Sequence, residues 1–105
     1  STAKWGVVGF TKTIAMELGQ FGIRCNAILP GIVEGERIRK VIEAKAQVAG
    51  KSAGEIQEAW LALASIKELI QPAQLADMIV LLASPRGRTI SGQAISIDGN
   101  LQALV

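Results

Sequence analysis

The stretch Gly22-Ile23-Arg24-Cys25-Asn26-Ala27-Ile28-Leu29-Pro30-Gly31 decides the architecture. Residues 23–29 form a largely apolar run between a glycine and a Pro-Gly pair, and a short run bounded in this way reads as a strand inside a sheet. A strand that stops at Pro-Gly opens its C-terminal edge in a turn, and in open α/β sheets that edge is where ligands bind. A second strand reads over Gln93-Ala94-Ile95-Ser96-Ile97, whose alternation runs into the turn signal Asp98-Gly99-Asn100.

Helical patterns surround these strands. Val7, Phe10, Ile14, Leu18 and Phe21 recur in steps of three and four, one face of a helix from Ser1 to about Gly22. Trp5, Val8, Ala15 and Met16 spread apolar surface round its circumference, which predicts burial on more than one side. Residues 34–66 read as helical and mixed in charge, with Ile38, Val41, Ile42 and Val48 forming a stripe that ends at Gly50. Ser52-Ala53-Gly54-Glu55 matches a capping box, and Ile56, Trp60 and Leu63 form the next apolar face. Glu34, Glu36, Arg37, Arg39, Lys40, Glu43 and Lys45 alternate in sign, the pattern of a solvated face. Pro72 suits the first position of a helix running to Ala83. Leu75, Met78, Ile79, Val80, Leu81 and Leu82 make that helix apolar nearly all round, so it needs cover beyond a single core, such as another subunit. Two strands joined through about 60 mostly helical residues pair in parallel by a right-handed crossover. Two strands alone make a poor sheet, so the chain reads as part of a larger α/β layer structure.

Composition narrows the function. The chain has 105 residues, enough for one domain, and is 50% hydrophobic and 19% charged with a formal charge of +2. That charge is too small and too scattered for a nucleic-acid footprint. With no His and a single Cys, a His–Cys zinc site, a Ser–His–Asp triad and a disulfide framework are excluded, and no metal is expected. No apolar run is long enough to span a bilayer. The lone Cys25, on an apolar run, suits a reducing, cytoplasmic compartment. The chain begins at Ser1 without Met or a signal pattern, and reads as though entered partway through a longer one.

Ser1-Thr2-Ala3-Lys4-Trp5-Gly6, Gly9-Phe10-Thr11-Lys12, Glu17-Leu18-Gly19, the run 22–31 and Ile90-Ser91-Gly92-Gln93-Ala94-Ile95-Ser96-Ile97-Asp98-Gly99 stand in order. Together they resemble the C-terminal half of a short-chain dehydrogenase/reductase, from residue 1 to about residue 100 and most weakly over 34–70. The resemblance implies the C-terminal part of a Rossmann-like, doubly wound parallel α/β sheet, in the order helix, strand, helices, helix, strand. Residues 1–105 would be a C-terminal fragment of one such domain, with 34–70 its substrate-lid segment. The family's Tyr-x-x-x-Lys signature places its Lys at Lys4 and its Tyr one position before Ser1, with the catalytic Ser, Asn and Gly-rich phosphate turn further upstream. Lys4 would hold the nicotinamide ribose hydroxyls, and its charge would lower the tyrosine pKa. Pro30, Gly31, Ile32 and Val33 match the loop that wraps the nicotinamide of NAD or NADP through backbone groups. Gly35 stands where the family has Thr, so that hydroxyl is missing.

The implied reaction passes a hydride between NAD(P) and a carbonyl or secondary alcohol of a small-molecule substrate. Without the tyrosine and serine, the fragment alone is expected to be inactive. Ile38 and Trp60 are candidate substrate contacts; together with Val41 and Ile42 they read equally as lid packing. Trp5 and Trp60 read as packing anchors, Cys25 as an inert core thiol within its strand, and Asn26 as a structural partner for backbone. The resemblance also implies a homodimer or homotetramer through 72–83 and 93–97, and through 1–22. A non-catalytic, self-associating module is the alternative. The choice between NAD and NADP rests on residues upstream of the chain.

Overall fold

Each helix starts and stops where its local chemistry dictates. The computed structural model describes residues 2–101; Ser1, which opens the resembling stretch, and 102–105, the end of the expected 1–105 unit, lie outside them. Helix α1 (Thr2–Leu18) tightens into a 3₁₀ turn over Gly19–Phe21, closed by Gly22 in the left-handed conformation at φ 75°. There a side chain would be strained, and the glycine supplies the conformation at no steric cost.

The strands pair as the sequence predicts, but the first is displaced. Strand β1 (Ala27–Pro30) runs parallel to β2 (Ala94–Ile97), with Ala27 opposite Ala94 and Pro30 opposite Ile97. The expected strand over 23–29 therefore begins only at Ala27. Residues 24–26 instead commit their polar groups to the segment that leads from the last helix into β2. The Arg24 guanidinium donates to the carbonyls of Leu82 and Gly87. The Cys25 amide donates to Ser91 Oγ (3.2 Å), and its carbonyl accepts from the Gly92 amide (2.7 Å). Asn26 donates through Nδ2 to the Ile90 carbonyl (2.9 Å) and accepts through Oδ1 from the Gln93 amide (3.1 Å). Asn26 thus has the structural role expected of it. Cys25 is half-buried and precedes the strand instead of lying within it.

Between the strands lie α2 (Glu36–Ala49), α3 (Ala53–Leu61) and α4 (Pro72–Ala83). The helical pattern expected to reach residue 66 stops at Leu61, because the Asn100 and Gly99 carbonyls take the amides of Ser65 and Ile66 (3.2 and 2.9 Å). Pro72 opens α4 as predicted, and Gln74 Oε1 accepts from the Gln71 amide (2.8 Å).

The capping box of α3 forms: the Glu55 amide donates to Ser52 Oγ (3.2 Å) and the Ser52 amide to Glu55 Oε1 (3.2 Å). The backbone hydrogen bond from Ser52, then its hydroxyl, hold the Glu55 carboxyl below its ordinary value. A carboxyl with a depressed folded-state pKa contributes stability above its unfolded pKa and loses it as pH falls through the folded value. Helicity followed by circular dichroism should therefore decline on acidification below the usual glutamate range. Glu55→Gln should remove that part of the pH dependence; an unchanged acid limb would show that the box contributes nothing.

Burial is thin. Ile42, Ala46, Ala64, Ile70 and Leu82 are the buried apolar residues among those described, joined by Thr11, the one buried residue of α1. Trp5, expected to anchor packing, is 75% exposed, because α1 packs against β1 along one side only. Helices α2 and α3 pack on each other and lengthen the molecule to 55 × 27 × 22 Å. The radius of gyration is 16.7 Å, against about 13 Å for a compact chain of this size. The described sheet has two strands, so the other edge of β1 carries none.

Candidate active site

The C-terminal edge of β1 is built by three segments far apart in sequence. Beyond Pro30 the Gly31 amide donates to the Ile97 carbonyl (2.9 Å), and the turn after β2 lies so close that a Cβ on Gly31 would stand 2.8 Å from Asp98 Cα and Cβ. The chain then forms a parallel bridge between Val33 and Ile70: the Ile70 amide donates to the Ile32 carbonyl (2.8 Å), and the Glu34 amide to the Ile70 carbonyl (2.8 Å). In a bridge of this kind the flanking residues make the bonds, and the central residue's own amide and carbonyl point to the opposite side. Neither group of Val33 has a hydrogen-bond partner among the described residues.

Gly35 N-caps α2 without a side-chain bond, as expected where the family has Thr. The Glu34 carboxylate instead pairs with Arg39 one turn along, tying the loop to the helix. Pro30, Gly31, Ile32, Val33, Ile38 and Trp60, all singled out from sequence, line one cleft of about 610 Å³ together with Val41 and residues 34–37. Ile42, on the same sequence stripe, is only 3% exposed and does not line the cleft. The structure thereby divides the apolar residues that sequence left between pocket and packing.

Lys4 lies elsewhere. It lines a second cavity, of about 380 Å³, with Trp5, Lys12, Leu29, Ser96 and neighbours. Leu29 lines this cavity and the next residue, Pro30, lines the first, and the two share no residue.

The family model described as enoyl-(acyl carrier protein) reductase matches residues 1–101. The chain belongs to the short-chain dehydrogenase/reductase family. It is 35% identical over 101 residues to a putative ketoacyl reductase of Streptomyces coelicolor, covering 96% of this chain and 39% of that one. A short-chain dehydrogenase family protein of Francisella tularensis superposes with a TM-score of 0.84 at 29% identity, over 90% of this chain and 39% of that one. A variant of actinorhodin polyketide ketoreductase, solved with NADPH, superposes with a TM-score of 0.80 at 34% identity, over 92% of this chain and 37% of that one. The chain thus spans about two fifths of the length of these relatives, and its two parallel strands with their helices are part of a Rossmann-like sheet.

Three positions of this dehydrogenase/reductase chain that carry no site role in the sequence hold the site's segments together. Ile70 closes the loop around Val33, and Asp98 confines Gly31 while accepting from the Asn100 amide (2.8 Å). Lys12 donates through Nζ to the Gly92 carbonyl (2.9 Å), joining α1 to the approach to β2. Asp98-Gly99 carried a turn signal, but nothing local to Ile70 or Lys12 names a partner so distant in sequence.

Proposed function

We propose that this chain is the cofactor-loop half of an NAD(P)-dependent oxidoreductase, which passes a hydride between a nicotinamide and a carbonyl or secondary alcohol. The observation that carries the reading is the Val33 backbone pair, one donor and one acceptor without partners among the described residues, at the C-terminal edge of β1 beside a cleft. A carboxamide presents both an N–H donor and a carbonyl acceptor, so this pair fits it. The Ile32 carbonyl already accepts from Ile70 and keeps one lone pair, so the expected Ile32–Val33 contacts rest first on Val33 and the Ile32 amide. When bound, a nicotinamide supplies the hydride chemistry; this chain's task is to hold it and exclude alternatives. By the family signature Lys4 would take the ribose hydroxyls, beside the tyrosine that the signature implies one position before Ser1.

The 105 residues contain no Tyr, so the chain alone is inactive on this reading. The NADPH in the actinorhodin ketoreductase structure and the ketoacyl reductase relative support both the cofactor class and a carbonyl substrate. Self-association through 72–83 with 93–97, and through 1–22, is supported by the exposed Ile79, Val80 and Phe10 (53, 66 and 69%). The same exposure favours the second reading, an association module without catalysis. Among the described residues no helix is long and apolar enough to cross a membrane, and a cytoplasmic location accords with the lone thiol.

The test is to express the natural coding sequence together with whatever precedes the Ser1 codon, and to follow the absorbance of NADPH and NADH with a 3-oxoacyl substrate. Turnover by that product and none by the 105-residue chain is expected. A longer product that oxidises neither nucleotide overturns the reading, as does turnover by the 105 residues alone.

A further inference from the structure

We infer that the cleft beside the Pro-Gly loop takes a substrate with an apolar body, an aliphatic or aromatic carbon skeleton, in preference to a polyhydroxylated one. The inference deepens the oxidoreductase reading and rests on it. Beyond the loop, the lining consists of Ile38 and Val41 of α2 and Trp60 of α3. None of these three side chains is fully buried. The buried residues of α2 are Ile42 and Ala46, at 3 and 6% exposure, whereas Val41 keeps 38% of its surface open. Apolar surface left open along a cleft, next to a helix core already closed by other residues, is available to a ligand.

The polar side chains of the lining are all charged and belong to residues 34–37. Glu34 is occupied by Arg39, and Glu36 and Arg37 are exposed on the first turn of α2. No Ser, Thr, Asn or Gln side chain lines the cleft. A polyol would find side-chain partners only at those charges, and hydroxyls set against Ile38, Val41 and Trp60 would have none, which is costly, while each methylene of an apolar body gains by leaving water there. A cavity of about 610 Å³ is in the range of small-molecule sites.

In the longer product, the difference in indole emission between the parent and a Trp60→Phe variant isolates Trp60 as the reporter in the cleft. Its emission is titrated with a series of methyl ketones of increasing chain length and, separately, with sorbitol. Saturable binding of the ketones is expected, tightening by about fourfold per methylene until the cleft is filled. Adding Val41→Thr, close to isosteric at an exposed position, should weaken binding by about tenfold with helicity unchanged. Sorbitol binding as tightly as the ketones, affinity independent of chain length, or no saturable ketone binding overturns the inference. Ketone binding needs no hydride transfer. A longer product that turns over nicotinamide with sorbitol but not with ketones would overturn this inference and leave the proposed function standing; ketone binding without any turnover would do the reverse.

Discussion

Replacing Gly31 by alanine is expected to destabilise the chain by about 3 kcal/mol and to displace the loop that carries Val33. The added Cβ would lie 2.8 Å from Asp98 Cα and Cβ, closer than carbon atoms pack, and a backbone atom cannot swing aside as a side chain can. Relief requires the loop or the turn after β2 to move. Either movement strains the hydrogen bond from the Gly31 amide to the Ile97 carbonyl, and with it the last rung of the sheet. The displacement passes directly to residues 32–34, where the bridge to Ile70 orients Val33. Urea denaturation reads the first effect as a lower midpoint at unchanged slope. Nicotinamide-nucleotide binding by the longer product reads the second, as affinity lost together with stability. A Gly31→Ala chain with parental stability would show that the approach of Asp98 is not a constraint. Parental stability with lost nucleotide affinity would place Gly31's role in the ligand contact instead.

Arg24→Ala is expected to cost a similar amount, about 3 kcal/mol, by a different route. The guanidinium donates to the Leu82 carbonyl in the last turn of α4 and to the Gly87 carbonyl (2.7 Å) in the 3₁₀ turn beyond it. A helix leaves its final carbonyls without internal donors, and a cation there also meets the negative end of the helix dipole. The Gly87 carbonyl keeps the Ile90 amide (2.9 Å) when Arg24 is removed, so the loss falls mainly on Leu82. The turn cannot readily close over the gap, because at Gly87 it already passes so near α4 that a Cβ would stand 2.7 Å from the Leu81 and Leu82 carbonyls. Thermal unfolding should shift down by roughly 15 °C, given the usual entropy of unfolding for a chain of this size. Arg24→Lys should recover part of this, since an ammonium reaches one carbonyl more readily than two. A shift of only a few degrees would mean that the helix end is served by solvent.

Much of the fold was legible because its signals are local. Pro72 and the Ser52–Glu55 box mark helix starts through hydrogen bonds that span no more than a turn, and Gly22 marks a helix end through its own φ. The alternation over 93–97 gave the second strand to within a residue, because each side chain there faces one side of the sheet by geometry alone. The first strand was placed too early, because Arg24, Cys25 and Asn26 find partners at 82–93, and no local rule gives that segment's position. Trp5 differs for the complementary reason: apolarity predicts a demand for cover, and the described residues leave it 75% exposed.

The candidate site divides in the same way. Sequence by itself determined the element order, the Pro-Gly edge and the family, since each follows from neighbours along the chain or from a motif at fixed spacing. Tertiary structure alone decided that Ile42 belongs to packing while Ile38 and Val41 face the cleft, and that Lys4 looks into a separate cavity. It also decided that both backbone groups of Val33 stay without partners among the described residues while the Ile32 carbonyl already accepts one bond, because Ile70 had first to arrive from the far end of the 34–70 segment.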